Sequence, residues 1–154
     1  MGKVRVSAKA IIIRDGKVLL TKNQDSEGIY YMLPGGGQEN GERIDQALQR
    51  ECLEEIGAHI QVKELGFVRD YIARNHQKTT EIPDQFHQIE LIFYAELLPN
   101  EEPRPGTSMD NSQIGSAWLD LDKTNEVRIY PKELFSYICS DSIKPLPVYL
   151  GDIN

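Results

Sequence analysis

The sequence predicts an α/β fold, a mixed sheet flanked by helices, on three observations. Runs that read as strands outnumber runs that read as helices, and the two kinds do not alternate strictly. One stretch free of glycine and proline, Arg43 to Ile56, carries a helical period. At 154 residues the chain suits a single domain, 1–154, large enough to fold without a disulfide or structural metal.

The elements follow in order. Val4, Val6, Ala8, Ala10 and Ile12 alternate, and Ile11 and Ile13 fill the other face, as in a strand buried on both sides near its end. Asp15-Gly16 then joins it to a second strand, Lys17 to Lys22, by a two-residue hairpin. Ile29 to Leu33 reads as a short strand ended by Pro34 and three glycines. A helix over 43–56 is capped by Gly57. His59 to Ala73 and Phe86 to Leu98, rich in β-branched and aromatic residues, read as two long strands with a polar loop between them. Residues 99–113 form the longest stretch without a pattern, and such loops often carry function. A strand near Ala117 to Leu121 and a helix opening at Pro131 complete the domain.

Composition narrows the function classes. With 40% hydrophobic and 27% charged residues the chain is neither disordered nor fibrous. No apolar run approaches the roughly 18 residues of a membrane span, so no membrane partner is expected. The apolar core near the N-terminus, Ala10 to Ile13, is too short for a signal peptide, which makes the cytoplasm the expected compartment. Cys52 and Cys139 lack metal-ligand spacing and read as two reduced thiols. Seventeen basic against 24 acidic residues leave a net charge of −7, which argues against DNA or duplex RNA as a partner. A small anionic ligand stays open, because a bound cation can supply the missing positive charge.

The helix over 43–56 breaks the usual rule of apolar inside, polar outside. At about 100° per residue from Ile44, the residues Ala47, Leu48, Cys52 and Ile56 make an apolar stripe between about −60° and +120°. Glu51 and Glu55 fall near −20° and +20° within that stripe, and Glu54 falls at its edge near −80°. Buried carboxylates must be paired, protonated or bound to cations. Three at this spacing converge on one spot, and oxygen ligands so placed suit Mg²⁺ or Mn²⁺. Arg50 beside them can neutralise part of the cluster or reach a phosphate, and a buried Arg–Glu network without metal is the alternative. Just upstream, Pro34-Gly-Gly-Gly-Gln-Glu-Asn-Gly-Glu42 lets backbone approach a ligand closely.

Together these residues run Gly36, five residues, Glu42, seven residues, then Arg50-Glu51-Cys52-Leu53-Glu54-Glu55-Ile56-Gly57-Ala58. This resembles the signature box of the Nudix hydrolases, Gly-x5-Glu-x7-Arg-Glu-U-x-Glu-Glu-x-Gly-U with U apolar. Every fixed identity is present, and Cys52 and Ala58 are smaller than the usual apolar residues. The resemblance implies an α/β/α sandwich and metal-dependent cleavage of a P–O–P bond in a small nucleoside diphosphate derivative: a nucleotide sugar, an ADP-ribose-like compound, a dinucleotide or a nucleoside triphosphate. It implies that Glu51, Glu54, Glu55 and the Gly36 carbonyl ligate Mg²⁺ or Mn²⁺, and that Glu42 and Arg50 orient the helix. A homodimer is a further implication of the family. Two alternatives are a hydrolase of RNA 5′ ends and a nucleotide-sensing module without turnover; the intact box disfavours the second.

For a general base the candidates are one of the box glutamates, Glu54 among them, or a carboxylate of the 99–113 loop: Asp110, Glu101 or Glu102. Asp110 lies nearest the following strand and is preferred. Glu90, with His87 on the same strand, faces either the cleft or the solvent. Arg69, Arg74, His76 and Lys78 form a local basic cluster, either a phosphate guide or an exposed strand end. Tyr30, Tyr31, Phe67 and Trp118 are candidates for base stacking or core. The window at Ala73, Arg74 and Asn75 holds neither the proline nor the tyrosine that marks some Nudix substrate classes.

Overall fold

The computed structural model describes residues 2–76, 82–139 and 145–154. The strands are β1 (Arg5–Arg14), β2 (Lys17–Asp25), β3 (Gly28–Met32), β4 (Gly35–Gly37), β5 (Ile60–Ile72), β6 (His87–Leu97), β7 (Gln113–Asp120), β8 (Ile129–Tyr130) and β9 (Tyr149–Asp152). Helix α1 (Ile44–Ile56) lies between β4 and β5, and α2 (Lys132–Ile138) follows β8. Short 3₁₀ turns occupy Ala73–Asn75 and Leu121–Glu126.

The sheet is mixed, as expected. Its order is β8-β3-β2-β1-β6-β5-β9, with β4 added to β1 and β7 to β2. β1 runs parallel to β6 and antiparallel to both β2 and β4. It forks the sheet: Ser7, Ala8 and Lys9 pair with β4, while only Ile13 and Arg14 pair with β2. Asp15 (φ 53) and Gly16 (φ 74) both take the left-handed conformation of the two-residue hairpin that their sequence suggested.

Two apolar layers result. Ala8, Ala10 and Ile12 face Leu48, Cys52 and Ile56 of α1. On the opposite side Ile11, Phe67 and Ile92 pack with Leu134 and Phe135 of α2. Val4, which precedes β1, and Val6 and Ile13 near its two ends are exposed, although the alternation placed them inside. Pro131 caps α2 from outside rather than opening its first turn. β4, β8 and β9 were not expected: one is three glycines, one has two residues, and β9 is four residues interrupted by Gly151. β7 begins at Gln113, earlier than its apolar pattern.

Candidate active site

Helix α1 brings the box residues to the glycine strand β4. Glu55 is buried, and the side chains of Glu51 and Glu54 are 16% and 32% exposed. A Cβ on Gly36 would stand 2.5 Å from the Glu51 carboxyl carbon, so the Glu51 carboxylate lies directly against the bare glycine backbone and would have to swing aside for any larger residue. Arg50 ties the parts together. Its Nη2 and Nε donate to Glu42 at 2.7 and 3.1 Å, Nη2 also to the Gly37 carbonyl at 2.9 Å, and Nη1 to Glu51 and Glu54 at 3.0 and 3.2 Å. The Arg50 guanidinium and the Glu39 N–H hold the Glu42 carboxyl below its ordinary range. Burial pushes Glu55 up to about 8; Lys9 opposes the rise, while the charges of Glu51 and Asp110 add to it.

Among the described residues, no three acidic, histidine or cysteine side chains surround a common point as metal ligands. The expected convergence is replaced by a split: Arg50 draws Glu51 and Glu54 to one guanidinium nitrogen, and Glu55 lies buried against the Gly35 N–H. The donor chemistry nevertheless fits a hard divalent cation, since it consists of carboxylate and glycine carbonyl oxygens. The trio also sits near the carboxyl end of α1, where the helix dipole is negative and its last turn holds no basic residue.

The glycine strand presents its carbonyls alternately. Ala10 N–H donates to Pro34 O and Gln38 N–H to Val6 O, each at 2.9 Å, which fixes the alternation of the β1–β4 ladder. Gly36 pairs with Ala8 inside that ladder. The carbonyls of Gly35 and Gly37 turn off it, to Lys9 and Arg50.

The 99–113 loop, read from sequence as patternless, closes the carboxyl end of α1. Arg104 N–H donates to Ile56 O at 2.8 Å, Ser108 N–H to Glu54 O at 2.9 Å, and the Gln113 amide to Glu55 O at 2.8 Å. These bonds satisfy carbonyls that a helix end leaves without intrahelical partners. Asp110 is exposed on this loop. Glu101 is engaged by His59 at 2.8 Å, and Glu102 accepts from Nη1 and Nη2 of Arg14 at 2.7 and 2.8 Å.

The NUDIX domain model matches residues 3–136. The chain belongs to the NUDIX family. Nudix hydrolases act on nucleoside diphosphate derivatives and related anhydrides, and generally use divalent metal ions. Over 58 residues the chain is 43% identical to the nucleoside triphosphatase NudI of Escherichia coli O139:H28, a match spanning 36% of this chain and 41% of that protein. The fold is similar to a NUDIX hydrolase from Nitrosomonas europaea (TM-score 0.71, 24% identity, 100% of this chain and 81% of that one). It is also similar to a MutT NUDIX hydrolase from Burkholderia pseudomallei (TM-score 0.66, 25% identity, 90% and 100% covered).

Outside the Nudix box, several sequence candidates have other places. Glu90 does not face solvent: it is 1% exposed and gripped by Arg69 at 2.9 and 3.0 Å and by Gln88 at 2.7 Å. Burial pushes the Glu90 carboxyl up, but Arg69 and Lys9 outweigh it and hold the group low. Arg69 is therefore no exposed phosphate guide. His76 bonds Asp152 at 2.6 Å, His87 bonds Asp70 at 2.7 Å, and Lys78 lies outside the described residues. Phe67 is core, Tyr31 packs against core, Tyr30 lies under Arg128, and Trp118 lies under Arg14. Cys52 and Cys139 are both free. Among the described residues no helix is long and apolar enough to cross a membrane. One residue beside the site escaped the sequence reading altogether: Lys9. The signal was present, a lysine flanked by Ala8 and Ala10 in the buried middle of β1.

Proposed function

We propose that this chain is a pyrophosphohydrolase that uses Mg²⁺ or Mn²⁺ to cleave a P–O–P bond in a small nucleoside diphosphate derivative. The observation that carries this reading is the carboxylate-lined end of α1 packed on a glycine strand, with the Glu51 carboxylate lying directly against Gly36. Glu51, Glu54 and Glu55 would hold the metal with a glycine carbonyl; the resemblance names Gly36, while ladder alternation favours Gly35, whose carbonyl turns outward. When bound, the metal supplies neutralisation of charge on the phosphate oxygens. Glu42 fixes Arg50, and Arg50 fixes the helix against β4, so both are positioning residues. Glu54, the most exposed of the three helix glutamates, is the preferred acceptor for the proton of an attacking water. Asp110 is the second candidate, since its charge is felt at Glu55.

The test is product release from a nucleotide panel with Mg²⁺, and with EDTA as control. The panel holds ADP-ribose, NADH, dinucleoside polyphosphates, nucleotide sugars and nucleoside triphosphates, the last because the Escherichia coli relative is named a nucleoside triphosphatase. Metal-dependent cleavage of one class is expected. A folded protein that binds Mg²⁺ but leaves every member intact would overturn the reading.

A further inference from the structure

We infer that Lys9 is a positioning residue that clamps the glycine strand from one end while Arg50 clamps it from the other, an assignment whose functional consequence rests on the metal reading above. Lys9 is 8% exposed in the middle of β1. Burying an ammonium group is costly unless its donors are satisfied. Its Nζ donates to Gly35 O at 3.0 Å and Leu33 O at 3.4 Å.

These two carbonyls are those the ladder leaves out. The Lys9–Gly35 register falls between ladder-bonded positions, so Gly35 O points away from β1 and has no strand partner. The same alternation turns Leu33 O outward, while Pro34 O between them accepts from Ala10 N–H at 2.9 Å. Gly35 itself lies tight on β1: a Cβ there would stand 2.0 Å from the Ala8 carbonyl oxygen. Leu33, Pro34 and Gly35 are thus all anchored to β1, two of them through one side chain. Two residues further on, Gly37 O is off the ladder and taken by Arg50 Nη2 at 2.9 Å. The strand segment facing the glutamates is therefore held at both ends by a cation on a carbonyl.

The ammonium also faces charge. Its field acts on Glu55 from α1 and on Glu90 from β6. A purely electrostatic Lys9 would repel an incoming metal ion, so removing it would tighten metal binding. A positioning Lys9 would do the opposite, because the strand carbonyls would lose their fixed direction. The sign separates the two roles.

The test compares wild type with Lys9→Met, which keeps the aliphatic stem, and Lys9→Gln, which keeps an N–H donor but no charge. Mg²⁺ binding to the nucleotide-free protein is measured by calorimetry, and amide exchange at Gly36 and Gln38 by NMR. Lys9→Met should weaken Mg²⁺ binding by about tenfold, the low end of what supporting residues around a metal site contribute. It should also speed exchange at Gly36 and Gln38 by a similar factor, and Lys9→Gln should recover most of both. Equal or tighter Mg²⁺ binding in Lys9→Met, or unchanged exchange, overturns the assignment. If wild type itself binds no divalent cation, the metal reading fails, and the exchange comparison still decides whether Lys9 clamps the strand.

Discussion

Arg50 and Glu42 meet edge to edge, with Nη2–Oε1 at 2.7 Å and Nε–Oε2 at 3.1 Å, and both side chains are less than a third exposed. The pair spans the loop between β4 and α1, so the helix cannot slide along the glycine strand without breaking it. The same guanidinium reaches Gly37, Glu51 and Glu54. Planar geometry is what permits all five bonds at once.

Lysine cannot reproduce that fork. Arg50→Lys should keep the charge yet lower kcat by about 10- to 100-fold, as loss of a residue supporting a metal site commonly does. It should also destabilise the fold by about 1–3 kcal/mol through unpaired acceptors on Glu42 and Gly37. Steady-state kinetics beside urea unfolding reads both, and full activity in Arg50→Lys would show that the fork is dispensable.

Glu51→Gln and Glu54→Gln should each abolish metal-dependent turnover while leaving the melting temperature equal to or above that of wild type. Each removes one charge from a repulsive cluster at the negative end of α1. Wild-type turnover in both variants at equal metal concentration would remove these two residues from the proposed metal site.

Glu55 gives the metal-free protein a pH signature. Its carboxyl stands near 8 in the fold against 4.5 as the reference value, raised chiefly by burial. A carboxyl raised on folding favours the folded state while protonated, so its contribution is complete below pH 4.5 and lost as pH climbs toward 8. Glu55→Gln lacks this loss. In EDTA the two melting curves should diverge with rising pH, the variant becoming more stable by a few kcal/mol at alkaline pH, since each decade between the values is worth about 1.4 kcal/mol. Parallel curves would show that Glu55 ionises without cost.

Gly106 sits where the 99–113 loop crosses the end of α1, and a Cβ there would stand 1.9 Å from the Glu54 carbonyl oxygen. Gly106→Ala should therefore push the loop off the helix and cost about 1–3 kcal/mol. Asp110→Asn touches no backbone and should leave stability unchanged. If Asp110 serves as base, that second variant alone lowers kcat; an unaltered kcat assigns the proton to a box glutamate.

Local chemistry made the centre of this molecule legible in advance. The helical period, the left-handed Gly57 cap and the Asp15-Gly16 hairpin each depend on a few neighbouring residues. The box spacing likewise lies within 23 residues, so the helix, its misplaced glutamates and the glycine approach were all visible in the order of residues. Tertiary structure decided the rest because the partners lie far apart in the chain. Arg69 became a buried ion pair only through Glu90 and the Ile153 carbonyl. Strand β9 exists only because β5 offers it an edge, and the 99–113 loop took its form from the end of a helix some fifty residues earlier. Whether Glu51 and Glu54 meet a cation, and which one, depends on how Arg50 divides itself between Glu42, Gly37 and those two carboxylates. Sequence determines which charges a helix must bury; the packing of distant strands decides what stands opposite them.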